Sequence, residues 1–76
     1  MHKIEFFILV RRVDGRPEVY TKNNIWTKNI NLAKKHATLD KAWKHLGKEK
    51  GIAVGMYAEP EKKRYASGPE YSKGVN

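Results

Sequence analysis

The sequence predicts an α+β fold: a three-stranded antiparallel sheet in ββαβ order, with one helix packed on one face and a disordered C-terminal tail. Three observations carry that expectation. Residues 3–13 alternate apolar side chains with period two. Leu39, Ala42, Trp43 and Leu46 recur at helical spacing. After residue 58 the apolar pattern stops, which gives a single domain over 1–58 and a flexible basic and polar tail over 59–76.

The first strand takes residues 3–13. Ile4, Phe6, Ile8 and Val10 share one wholly apolar pleat face, and Glu5, Phe7, Leu9 and Arg11 share a mixed one. The two large apolar groups on the mixed face point to a central strand or a partly covered second face. Asp14-Gly15 supplies hairpin-turn chemistry, and residues 18–22 return as the second strand behind Pro17. Asn23-Asn24 marks another turn. Asn29 or Asn31 then caps a short helical turn holding Ile30, Leu32 and Ala33. Thr38 is the N-cap of the main helix, whose stripe of Leu39, Ala42, Trp43 and Leu46 faces the core. Gly47 or Gly51 ends it, with Gly51 the preferred stop. Residues 52–58 form the third strand, with Ile52, Val54 and Met56 on one face and a gap at Gly55 on the other. The helix is expected to cover the apolar face of this sheet.

A chain of 76 residues is one domain at most. Cysteine is absent, which excludes disulfides and thiolate zinc sites and fits a reducing cytoplasm. The longest apolar run, residues 6–10, is far short of the ~20 residues a membrane span needs. No secretion signal is visible, so the expected location is the cytoplasm.

Charge is the feature closest to function. Residues 22–50 hold eight lysines against Asp40 and Glu49, which is +6 of the chain's +8. A field this concentrated draws polyanions. On the helix, Lys41, Lys44 and Lys48 form a basic ridge opposite the core stripe, and Lys22, Lys28, Lys34 and Lys35 can extend it into a patch that tracks phosphates. The same lysines equally describe a solvated helix face. Lysine is a hydrated point charge suited to phosphate contact, so the binding expected is to DNA or RNA backbone with little sequence preference. Arg11 and Arg12, with Arg16, can gather at the hairpin end, or simply pair with Asp14 and Glu18. Trp26 is the candidate stacking partner for an unpaired base, with Tyr20 and Tyr57 beside it as further aromatics; Trp43 belongs to the core. The triplet Lys62-Lys63-Arg64 offers an arm that orders on a polyanion or docks on a protein, or a solvated terminus.

Tyr20, Trp26-Thr27, Ala33, and Thr38 followed by Ala42 resemble a group of small proteins encoded by bacteriophages and prophages, which pair a hairpin with a W-T-x-[DN]-x-x-x-A segment, a T-x-x-x-A helix and a final strand. The likeness spans roughly residues 4–56, and His36 departs from it by standing where an aromatic or large apolar group is usual. Most of that group has no known function. The resemblance implies an origin and a fold, and accessory proteins of this size bind nucleic acid or disable a host protein. Two functions therefore stand as expectations: nucleic-acid binding, and a protein-binding inhibitor that engages an acidic host protein.

Enzymatic chemistry is not expected. His2, His36 and His45 are scattered, with His36 read as a packing residue and His45 as a surface residue. No carboxylate spacing supports a metal site, and the only serines, Ser67 and Ser72, lie in the tail. No cofactor is implied. A sheet of three strands has two open edges, so a homodimer through those edges is a further expectation.

Overall fold

The structure is a computed structural model and describes residues 3–72. Five strands, not three, build one antiparallel sheet. They are β1 (Ile4–Val13), β2 (Arg16–Tyr20), β3 (Trp26–Thr27), β4 (Ile52–Glu59) and β5 (Arg64–Ser72), in the spatial order β3-β2-β1-β4-β5. One helix, α1 (Leu39–Leu46), and 3₁₀ turns at Ile30–Leu32 and Pro60–Lys62 complete the elements of the described residues.

The expected three-stranded sheet fails at both ends. At one edge, Trp26 and Thr27 pair with Tyr20 and Val19, a strand too short to show any periodicity. At the other, residues 64–72 are an edge strand on β4 rather than a tail; residues 73–76 lie outside the described residues. The turn into β5 is tight. Lys63 takes a left-handed conformation (φ 53°) and donates its N–H to the Pro60 carbonyl at 3.1 Å, and Arg64 pairs with Glu59 at 2.8 Å. The basic triplet is therefore a hairpin connection and not a free arm. Its strand stayed hidden in the sequence because of a bulge. Val54 faces Glu70 and Met56 faces Ser67, so β5 carries one extra residue there. That extra residue sends Tyr65 and Tyr71, which have the same parity, to opposite faces. Tyr65 meets Phe6 edge-on at 4.9 Å, and Tyr71 meets Phe7 at 5.8 Å.

The helix also sits on the other face from the one expected. The core beneath α1 consists of Leu9, Tyr20, Ala42, Leu46 and Ala53, with Phe7, Trp26, Leu39, Trp43 and Tyr71 packed around it. These are residues of the mixed face of β1. The reason lies on β4 and the residue before it, where Gly51, Ala53 and Gly55 form a strip of small groups on that side. A Cβ at Gly51 would lie 3.1 Å from the Trp26 ring, and one at Gly55 would lie 3.1 Å from Ile4. Bulky helix and strand side chains fit only over such a strip. Ile4 reaches this face because a register shift between Ile4 and Phe6 turns it over. The wholly apolar face carries a second cluster of Ile8, Val19 and Val54, flanked by Phe6, Val10, Ile52 and Met56 and covered in part by Ala33.

Thr38 caps α1 as expected, accepting the Lys41 N–H at 3.2 Å. The helix stops at Gly47, not Gly51. Gly47 adopts φ 63° and ψ −123°, a conformation open essentially to glycine alone, and its N–H bonds the Trp43 carbonyl. Asn29 caps the first 3₁₀ turn through Asn31 N–H at 3.1 Å. The sheet edges on which a dimer could form are the two residues of β3 and the outer side of β5, where Pro69 has no N–H to offer. No helix among the described residues is long and apolar enough to cross a membrane.

Candidate nucleic-acid interface

The lysines do not form one ridge. Because α1 ends at Gly47, Lys48 lies in the following turn, and only Lys41 and Lys44 stand on the helix. Two adjoining hollows organise the rest. One, of about 450 Å³, is lined by Lys22, Lys34 and Lys35 together with the exposed Ile25 and Leu32. The other, of about 460 Å³, is lined by Lys34, Lys35, Lys41, His36, Ala37 and His45. Lys34 and Lys35 belong to both, so Lys22, Lys34, Lys35 and Lys41 make a continuous basic surface. No acidic side chain among the described residues lines either hollow. Lys28, Lys44 and Lys48 line neither one. Both ion pairs seen among the described residues use arginine, Arg11 with Glu18 and Arg64 with Glu59, and leave the lysine charges uncompensated at salt-bridge range.

The position of this surface follows from local structure. Residues 33–37 run antiparallel beside β1 at one point, where Phe7 and His36 exchange both backbone hydrogen bonds at 2.8 Å. That bridge turns His36 inward, 4 % exposed. Lys34 is tied to β2 by its N–H on the Tyr20 carbonyl at 3.0 Å. Lys35 places its ammonium 4.9 Å from the Phe6 ring and 5.2 Å from the Tyr65 ring. It lines the second hollow together with Lys34 and Lys41.

The two histidines, read from the sequence as unrelated, are the groups that sequence reasoning missed. His36 Nε2 lies 2.9 Å from His45 Nδ1, and their ring centres are 5.0 Å apart. His36 Nδ1 meets the Phe7 carbonyl at 3.2 Å, and His45 Nε2 meets Asn24 Oδ1 at 2.6 Å. Asn24 reaches that point from a left-handed turn position (φ 61°), closed by Thr21, whose hydroxyl accepts the Asn23 and Ile25 N–H groups. Burial lowers the His36 pKa, against a raising hydrogen bond from Phe7, and the charges of His45 and Lys34 lower it further. His45 is lowered by burial and then by Lys34. No group of three metal-ligating side chains occurs among the described residues.

These shifts carry a stability consequence. A histidine whose folded-state pKa is lowered binds fewer protons folded than unfolded, so stability is full above the unfolded value of 6.5 and declines as pH falls through it towards the lowered value. Thermal denaturation midpoints at low salt are expected to drop between about pH 7.5 and pH 5.5, and the drop is expected to shrink in His36→Gln. A midpoint that stays level over that range in the parent protein would contradict the burial argument.

The other candidate residues separate. Arg11 and Arg12 point to opposite faces of β1 and do not cluster. Arg11 bonds Glu18 at 2.8 Å and covers the Trp26 ring at 4.6 Å, while Arg12 pairs in register with Pro17. Trp26 is half-buried, lies 4.7 Å from the Tyr20 ring and donates its indole N–H towards Glu49 at 3.4 Å. It is part of the core rim and not an open platform. The exposed ring beside a lysine is Tyr65, in a groove of about 380 Å³ on the uncovered sheet face with Phe6, Ile8, Ile30, Met56 and Arg64. No family model, curated protein or solved structure matches the chain.

Proposed function

We propose that this chain is a small accessory protein of the cytoplasm that binds nucleic acid, DNA or RNA, through lysine–phosphate contacts with little sequence preference. The observation that carries this reading is the continuous surface of Lys22, Lys34, Lys35 and Lys41 over two adjoining hollows free of carboxylates. Their charge is spread over a path and not gathered at a point, which suits a backbone with repeated phosphates. Exposed Ile25 and Leu32 beside Lys22 offer apolar contact to sugars and base faces. The absence of arginine from this surface argues for phosphate contact and against bidentate base reading.

Fluorescence anisotropy of a labelled oligonucleotide, titrated across ionic strength, is the test. Four contacted phosphates on a single strand, one for each lysine of the surface, give a log–log salt slope of about −3, and Lys34→Gln or Lys41→Gln is expected to flatten it by about one contact's worth. Lys44→Gln, off the surface, is expected to change it less than Lys41→Gln. Absence of binding at low salt ends this reading.

The groove on the uncovered sheet face favours a second reading, a protein-binding inhibitor of a host enzyme or defence complex. Phe6, Ile8, Met56 and Tyr65 would supply apolar anchors there, with Lys35 and Arg64 meeting an acidic rim. A stoichiometric protein partner that survives nuclease and is lost on Met56→Lys would favour it over the first.

A further inference from the structure

The hydrogen-bond chain through the histidine pair has a proton count that depends on its surroundings. It runs from the Phe7 carbonyl through His36 and His45 to Asn24. With Oδ1 of Asn24 facing His45, both ends of the chain are acceptors. Three hydrogen bonds then need three ring N–H groups: His36 Nδ1–H to Phe7, one proton between the rings, and His45 Nε2–H to Asn24. Two neutral imidazoles carry only two N–H groups. The chain closes in this orientation only when the pair holds one extra proton. If the Asn24 amide turns over, its NH₂ donates to His45 Nε2, His45 Nδ1–H donates to His36 Nε2, and the pair is complete while neutral. The Asn24 amide thus links two protonation states of equal hydrogen-bond content.

What selects between them is charge. The charged or titratable groups facing the pair are Lys34 and Lys35 from the segment leading into His36, Lys41 from α1, and the Tyr20 phenol ring of β2, 4.8 Å from the His45 ring. No carboxylate among the described residues lines that hollow. An empty hollow therefore repels the extra proton, and an anion seated between Lys34 and Lys41 attracts it.

We infer that the hollow lined by Lys34, Lys41 and His45 is a subsite for one phosphoryl group, and that filling it draws one proton from solvent into the His36–His45 pair. The identity of the anion as a nucleic-acid phosphodiester rests on the function proposed above; the proton linkage does not. Affinity rises on acidification, approaching about tenfold per pH unit where the free pair is neutral and the bound pair is charged.

Isothermal titration in two buffers of different ionisation enthalpy, at about pH 6 and fixed ionic strength, counts the protons taken up. The probes are sulfate and an oligothymidylate without a terminal phosphate, neither of which titrates near that pH. Uptake of about one proton with each probe, abolished in His45→Gln, is the expected result. Asn24→Asp supplies a carboxylate that accepts only, so the free pair is already protonated. In that variant the histidine NMR resonances titrate at higher pH, as beside any carboxylate, and proton uptake on binding disappears, a loss that a merely structural His45 would not produce. Oligonucleotide binding without proton uptake overturns the subsite and leaves nucleic-acid binding intact. Sulfate binding with uptake, but no oligonucleotide binding, keeps the subsite and removes the nucleic-acid reading. No uptake with either probe overturns the inference outright.

Discussion

A chain ending at Lys63 is expected to lose cooperative unfolding altogether. In the full chain, residues 64–72 pair with β4 along its length, from Glu59 with Arg64 to Ile52 with Ser72. Removing them strips β4 of one partner strand, exposes Phe6 and Phe7 by taking away Tyr65 and Tyr71, and opens a new long edge. A domain this size holds only about 4–11 kcal/mol of stability at the usual 0.05–0.15 kcal/mol per residue. Each aromatic contact alone is worth about 0.5–1.5 kcal/mol beyond its buried area, and the paired backbone adds to that. Urea titration followed by circular dichroism checks the result. A sigmoidal transition with an undiminished midpoint would mean that β5 is dispensable, and that a tail was the better description after all.

Leu9→Ala is the point substitution with the largest expected cost, about 2–5 kcal/mol. Leu9 is 0 % exposed and sits on the central strand between Tyr20 of β2 and Ala53 of β4, under Ala42 and Leu46 of α1. Its neighbours cannot collapse into the space, because Ala42 and Ala53 are themselves small and held in a helix and a paired strand. Ile8→Ala, on the opposite face, is expected to cost less, since Ile8 lines the open groove where water and loop residues can adjust. Comparing the two denaturation midpoints tests directly which face of β1 is the principal core. Equal losses, or a larger one at Ile8, would place the main core on the wrong side.

That comparison also marks where the sequence stopped being informative. The alternation of β1 is plain, and both of its faces are apolar enough to be covered. Nothing in β1 alone says which face receives the helix. The deciding signal was present elsewhere, in the small groups Gly51, Ala53 and Gly55 at alternate positions, which make room for Trp26 and Leu46. The last strand was harder. Strand recognition relies on period two, and the bulge opposite Val54 and Met56 breaks that period inside a segment already interrupted by Gly68 and Pro69. At the helix end, two glycines competed, and only the dihedrals at Gly47 distinguish them.

The interface divides in the same way. A surplus of lysine in residues 22–50 is visible in the chain itself. Its distribution is not: Lys48 falls off the helix, Lys35 lines both hollows while its ammonium lies near the Phe6 and Tyr65 rings, and Lys34 and Lys41 converge from separate elements. Arg11 and Trp26 drop out of the surface because they satisfy each other and Glu18.

Local chemistry was enough for the Asp14-Gly15 turn, the Thr38 cap, the amphipathic stripe of α1 and the sign of the central charge, because each depends on residues within a few positions of one another. Strand number, the pairing that sets those small groups against one face of β1, and the meeting of His36 with His45 were decided only by tertiary structure. Those three depend on pairings between distant segments, such as Phe7 with His36 and β4 with β5, where backbone hydrogen bonds carry no side-chain code.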